Sequence, residues 1–310
     1  MTDIDPRTRH FGSFYRLDQP RRDERPLWVI WGNCQAEALR VLLASAPDVG
    51  IRTVRVPPVH ELEAGDIPFV RELLADTQVL LSQPVRDGYR ELPIGTADAI
   101  AMMPVTSRVV RWPVVRYAGL HPFQIIVRDP ADMSSNPPVV PYHDLRTVLC
   151  ARDAVRDRRI YDSTVDAHTI REVAQWSVEQ LHARERRDTD IAVSDVLSAL
   201  GASAAHTINH PGNAVLMILA QRMFAALDVP ARPVEPDRDL LGSVRAPLDG
   251  RVVDALNLDA RESSTWTVDG AVIPDDEVFA RQIGWYADHP GFFAATERRY
   301  AELLEIIGIR

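Results

Sequence analysis

The sequence predicts an α/β protein with a mostly parallel sheet flanked by helices and a helical C-terminal part. Three observations carry this expectation. The run Leu27 to Trp31 is apolar throughout, as a strand covered on both faces must be. Strand-like runs and helical spacings then alternate as far as about residue 127. Beyond residue 145 the pattern turns to longer amphipathic helices.

In chain order, a first helix follows Leu27–Trp31, because Leu39, Leu42, Leu43 and Ala46 repeat at helical spacing and Pro47 stops the run. Ile51 to Val56 is rich in β-branched residues and reads as a second strand. A short helix over Phe69–Ala75 leads into a third strand over Val79–Leu81, which ends at Ser82-Gln83-Pro84. Arg108–Val110 and Gln124–Val127 supply a fourth and a fifth strand. Helices are expected over Arg146–Arg158 and over Thr164–Arg186, where Ile170, Val173, Ala174, Val178 and Leu181 form one stripe. Val193–Leu200 is a short helix closed by Gly201. Pro211–Leu227 is apolar nearly all round and should be deeply buried, with Pro211 in the first helical position. A proline-rich connection over 228–250 precedes a hairpin at Thr265–Ile273 turning on Asp269-Gly270, and two helices near 277–287 and 292–307 finish the chain.

This gives an irregular, solvated arm over 1–26, holding Arg7, Arg9, Arg21, Arg22 and Arg25. An α/β catalytic domain follows over 27–227, then an extension over 228–310 packed on the same core. At 310 residues, with 46% apolar and 25% charged residues, the chain can bury a substantial core. A net charge of −9 argues against general nucleic-acid binding. No apolar run is long enough for a membrane span, and the polar start has no secretory core, so a cytoplasmic protein with two reduced cysteines, Cys34 and Cys150, is expected.

The chemistry concentrates at Gly32-Asn33-Cys34-Gln35, where the first strand hands over to the first helix. Open parallel sheets bind ligands at the carboxyl ends of their strands. A helix N-terminus offers N–H groups and positive partial charge that stabilise a thiolate and an oxyanion. Cys34 is therefore the expected nucleophile, with Gly32 allowing the tight turn. Among nine histidines, His210 in Asn209-His210-Pro211 is the best-placed general base, held before the most hydrophobic helix. His206 lies four residues earlier, but the intervening Thr207-Ile208-Asn209 reads as extended chain, and no metal is expected. Gln83, at the end of the third strand, can donate to an oxyanion. Tyr117 and His121 sit on a polar, aromatic turn suited to an acceptor pocket, and Arg86 and Arg90 belong to an arginine-rich stretch suited to phosphates. Dinucleotide fingerprints, phosphate-binding loops and the serine-hydrolase elbow are missing from the sequence.

Gly32-Asn33-Cys34-Gln35, Ser82-Gln83, Gly119-Leu120-His121-Pro122, Asn209-His210-Pro211 and Tyr286-Ala287-Asp288-His289-Pro290 together resemble the WcbI-type polysaccharide biosynthesis family, over about residues 27–307. That resemblance implies a flavodoxin-like fold related to SGNH hydrolases, and acetyl transfer from acetyl-CoA in capsule assembly. Gly32, Asn33, Gln35, Arg86 and Arg90 would then contact coenzyme A, and Tyr117, His121 and Asn209 the acceptor. Cys34 would stand for the SGNH serine and Gln83 for its oxyanion-hole asparagine. The SGNH aspartate three residues before the histidine is Thr207 here, so a Cys–His dyad replaces a full triad. The resulting expectation is an acyl-CoA-dependent O-acyltransferase, acetyl by preference, acting on a sugar, polysaccharide precursor or glycosylated small molecule. An SGNH-like esterase or thioesterase and a non-catalytic coenzyme A-binding protein remain open alternatives, as does homo-oligomerisation.

Overall fold

The computed structural model describes residues 4–17, 23–47, 49–162 and 165–309. Arg21 and Arg22 of the expected arm and Thr164 at the expected start of a helix lie outside the described residues. The fold class is the expected one: an α/β protein with a mostly parallel sheet, flanking helices and a helical C-terminal region. Its contacts group into two compact units, one of residues 1–115, 182–194 and 213–241, the other of residues 116–181, 195–212 and 242–310.

The first unit holds a four-stranded parallel sheet in the order β2-β1-β3-β4, from β1 (Leu27–Trp31), β2 (Arg52–Thr53), β3 (Val79–Ser82) and β4 (Arg108–Arg111). All five residues of β1 are buried, because both faces are covered. Leu27, Val29 and Trp31 alternate into a core with Leu80, Val70, Leu74 and Ile94. From the opposite face, Trp28 meets Phe224 of the helix Asn213–Ala226, their rings 6.0 Å apart. That helix packs on Cys34–Ser45, the helix that follows β1.

The segment expected as a solvated arm is tied down where it is described. Pro6 opens a short helix, Pro6–His10, capped by the Asp5 carboxylate, which accepts from Thr8 N–H at 3.0 Å. Phe11 and Phe14 are buried in the core beneath. Arg7 pairs with Asp66 at 2.7 Å, and the Tyr15 hydroxyl donates to the same carboxylate at 2.8 Å.

The second unit carries three small antiparallel sheets. β5 (Gln124–Ile125) pairs with β6 (His143–Asp144), and β7 (Ala205–Thr207) with β8 (His210–Pro211). β9 (Val244–Arg245), β10 (Thr265–Val268) and β11 (Ala271–Pro274) form the third, in the order β11-β10-β9. The hairpin turns as expected, with Asp269 and Gly270 at φ 47° and 85°. Gln124–Val127 was expected as a fifth strand of the main sheet; instead two residues pair antiparallel elsewhere. The reason is local: the Tyr300 hydroxyl takes the place of a ladder partner for Ile126, accepting from its N–H at 2.7 Å and donating to its carbonyl at 3.0 Å. Tyr300 also interrupts the last expected helix, dividing it into Gly291–Arg299 and Ala301–Ile306.

Pro211 does not open the apolar helix. It lies in β8 opposite Ala205, and the helix starts at Asn213. A β-carbon on Gly212 would collide with the Ser203 carbonyl, so this tight passage requires glycine. Among the described residues, no helix is long and apolar enough to cross a membrane.

Candidate functional site

In the first unit, β1 ends at Trp31, and Gly32-Asn33 turn the chain into the helix Cys34–Ser45. Asn33 is the N-cap, its side-chain oxygen accepting from Gln35 N–H at 2.9 Å. Cys34 is thus the first helical residue. Gln83 continues β3 from beside Trp31, whose carbonyl accepts its N–H at 2.8 Å, and folds its amide under the turn. Its Oε1 accepts from Asn33 N–H at 2.8 Å, and its Nε2 donates to Gln35 Oε1 at 3.1 Å. Gln35 in turn accepts from Val115 N–H at 3.1 Å and donates to Val115 carbonyl at 2.8 Å. A β-carbon on Gly32 would stand 2.8 Å from Gln83 Cδ and 3.0 Å from its Cγ. Gly32 is therefore required by the close approach of Gln83; its φ is not positive.

Two sequence expectations change character here. Gln83 is 2% exposed and Gln35 fully buried, and their amides are engaged with each other and with backbone. They clamp the cysteine turn from beneath and present no open face to a ligand.

Cys34 lines a cavity of about 620 Å³ with Pro6, Phe11, Val41, Leu240 and Leu241 as apolar wall. The guanidiniums around it are Arg7, Arg55 and Arg238, with His10 beside them and Glu37 and Glu61 as counter-charges. Arg55 Nε pairs with Glu37 Oε1 at 3.4 Å, an ion pair without hydrogen-bond geometry. Arg86 and Arg90 are not in this lining. Arg86 borders a separate cleft with Arg111 and Arg187, and Arg90 donates to the His60 carbonyl. The basic groups that do surround the sulfur come from remote segments. The Asp5-Pro6 pair, a cap followed by proline, is the signal that could have recruited Arg7 and His10.

Burial opposes the easy ionisation expected of a thiol at a helix start. Burial pushes the Cys34 thiol up to about 11, outweighing the backbone N–H groups of Cys34 and Gln35, while nearby Glu61 raises it further. The residue is half-buried, and its sulfur is largely withdrawn from water.

In the second unit, His210 begins β8, and its backbone N–H donates to Thr207 Oγ1 at 3.2 Å. Thr207 donates to the Tyr142 hydroxyl at 3.0 Å and lies 3.2 Å from Asn209 Oδ1. Tyr142 stands 3.4 Å from His210 Nδ1, with the two rings nearly perpendicular. Tyr142 is the neighbour of His210 that the sequence did not disclose. Burial and nearby His206 push His210 down to about 4, which keeps its ring neutral near pH 7. Tyr117 is buried, folded over Gly119, with its backbone N–H on the Ile208 carbonyl at 2.7 Å. His121 is buried and lines a different cavity of the same unit. Among the described residues, no group of three or more His, Cys, Asp or Glu is arranged to hold a metal ion.

A family model described as "Polysaccharide biosynthesis enzyme WcbI" matches residues 27–232. No curated protein matches the sequence significantly. Among solved structures, the fold is similar to that of WcbI, described as a novel polysaccharide biosynthesis enzyme, in a native form without a disulfide bond between coenzyme A and one of its cysteines. The TM-score is 0.78 at 20% identity, covering 92% of this chain and 99% of that one.

Proposed function

This chain belongs to the WcbI family of polysaccharide biosynthesis enzymes, and from that premise we propose that it is an acyl-CoA-dependent O-acyltransferase, acetyl by preference, whose acceptor is a sugar hydroxyl. The observation that carries the reading is Cys34 itself: a thiol on the first residue of a twelve-residue helix, facing a cavity ringed by Arg7, His10, Arg55 and Arg238. A thioester donor with a phosphorylated tail needs a nucleophile or transfer point beside cations, and guanidinium forks suit its phosphates. The coenzyme A and cysteine in the description of the related structure support the same assignment.

The chemistry follows from the resting states. Cys34 is a neutral thiol and His210 a neutral imidazole near pH 7. The thiol proton therefore leaves to a general base as the sulfur attacks the thioester carbonyl. The Cys34 N–H, at the helix start, is its donor to the tetrahedral oxyanion. Collapse expels the coenzyme A thiolate, which takes up a proton, and leaves the acyl group on Cys34. The acceptor hydroxyl then attacks that thioester, loses its proton to the same base and regenerates the thiol. Gln83, Gln35 and Gly32 act as positioning residues that hold the turn.

The test is acetyl-CoA turnover followed by free-thiol release, with intact-mass detection of acetylated Cys34. Release that requires a sugar acceptor and is abolished in Cys34→Ala is the expected outcome. Release indifferent to every acceptor identifies a hydrolase. Undiminished turnover in Cys34→Ala removes the covalent route, and undiminished turnover in His210→Ala removes the expectation of a catalytic histidine there.

A further inference from the structure

The family model begins at residue 27, yet the cavity that holds Cys34 takes part of its wall from earlier in the chain: Pro6, Arg7, His10 and Phe11. The helix Pro6–His10 buries none of its five residues, and a helix of that length does not hold itself in water. Two anchors fix it from outside. Phe11 and Phe14, just after it, are buried in the core. Arg7, within it, forks onto Asp66 with contacts of 3.2 and 2.7 Å and donates to the Glu61 carbonyl at 3.0 Å. Tyr15 closes the knot, its hydroxyl accepting from Arg7 and donating to Asp66 at 2.8 Å. The four terminal N–H groups of Arg7 are all spent on these bonds, so it serves as a tether as well as a charge. Asp66 is 4% exposed, lies outside the cavity lining, and also accepts from Glu63 N–H at 3.0 Å, which fixes its own position. Burial opposes its charge, but the bonds from Arg7, Glu63 and Tyr15 outweigh that and hold the carboxyl below its usual range.

We propose that Asp66 is a positioning residue of the Cys34 site: by gripping Arg7 it fixes the helix Pro6–His10 as one wall of the cavity, and that wall admits slender reagents to the sulfur and turns away bulky ones. The two anchors are separable. Without the fork, Phe11 and Phe14 still hold the residues after the helix in the core, so the fold stands. The helix ahead of them loses its polar anchor, and Pro6, Arg7 and His10 are free to leave the wall. The approach to Cys34 then widens on that side. The carboxylate that controls the wall thus comes from within the region the family model matches, and the wall itself from outside it. For a thioester donor, the same wall favours a short, unbranched acyl group over a bulky one. Only that last step rests on the acyl-transfer reading.

The test labels the full chain with methyl and benzyl methanethiosulfonate, which carry the same neutral reactive group and differ in bulk. Each forms a disulfide with the cysteine sulfur, which gives its proton to solvent, and expels methanesulfinate. Labelling at Cys34 and Cys150 is read by peptide mass. Arg7→Met and Asp66→Asn should each raise the benzyl-to-methyl rate ratio at Cys34 at least about fivefold. Arg7→Lys keeps the charge but loses the fork, and should do the same. The double variant Arg7→Met/Asp66→Asn should not exceed the larger single effect, because both changes cut one tether. Cys150 is fully buried in the second unit and should stay unlabelled throughout. An unchanged ratio in Arg7→Met overturns the proposal, even where Asp66→Asn fails to fold. So do single effects that multiply in the double variant, an unaltered ratio in Arg7→Lys, or a rise that comes with labelling of Cys150, which marks general loosening. Acetyl-CoA turnover by the unaltered protein is measured alongside. Its absence counts against the acyl-transfer reading and leaves the labelling ratios to decide the role of Asp66.

Discussion

If Gly32 is there to admit Gln83, the two positions must be energetically coupled. Alanine at 32 places a methyl group 2.8 Å from Gln83 Cδ, closer than packed carbons tolerate, so the amide has to retreat. That retreat stretches the bonds to Asn33 N–H and Gln35 Oε1, now 2.8 and 3.1 Å. Two lost bonds at about 1 kcal/mol each, with a partly buried N–H left short of its acceptor, give a cost of about 2–3 kcal/mol for Gly32→Ala. Gln83→Ala alone should cost about 2–4 kcal/mol, because it loses the same bonds and opens a void under the turn. Once Gln83 is truncated, alanine at 32 meets no amide and should cost less than about 1 kcal/mol. The double mutant is then more stable than the sum of the single effects by about 2 kcal/mol. Urea unfolding followed by far-ultraviolet circular dichroism, at constant m-value, reads all four proteins. Additive costs, with coupling below about 0.5 kcal/mol, would refute the idea that the glycine serves the glutamine.

Three further outcomes are expected. The raised Cys34 thiol should alkylate slowly with iodoacetamide at pH 7 and ever faster towards pH 11; a rate already level below pH 8 would show a thiolate that the burial argument forbids. His121 and His210, held near 4, and His143, held near 3 by burial, stay neutral in the fold but charge near 6.5 in the unfolded chain. Their contribution to stability is complete above about pH 6.5 and is lost as pH falls towards 3, so urea midpoints should drop steadily between pH 7 and 4; a flat profile contradicts this. Tyr300→Phe strips both partners from the Ile126 backbone and should cost about 1–3 kcal/mol by urea unfolding, whereas an unchanged midpoint would show that water replaces the hydroxyl.

Wherever local sequence sets local structure, the chain was readable. Leu27–Trp31 could only be a strand buried on both faces, Asp269-Gly270 could only be a tight turn, and Gly32-Asn33-Cys34 carried its own cap and helix start. Those signals yielded the fold class and the position of the thiol. The site around the thiol was not readable in the same way. Arg7, Arg55 and Arg238 reach one cavity from segments far apart in the chain, and nothing in their spacing marks them out among the other arginines. Arg86 and Arg90 looked better in sequence because they lie just after a strand, yet neither lines that cavity.

Sequence alone determined the order of elements and placed a cysteine at the mouth of a parallel sheet, because capping, periodicity and turn chemistry act over a few residues. Tertiary structure decided which residues serve chemistry and which serve packing. Gln83 and Gln35 read as ligand contacts, but their amides turn inward on each other, and Cys34 read as an easily ionised thiol, but desolvation opposes the helix N-terminus. Burial and partner choice depend on chain segments that meet only when folded, and those two quantities set both hydrogen-bond availability and proton affinity.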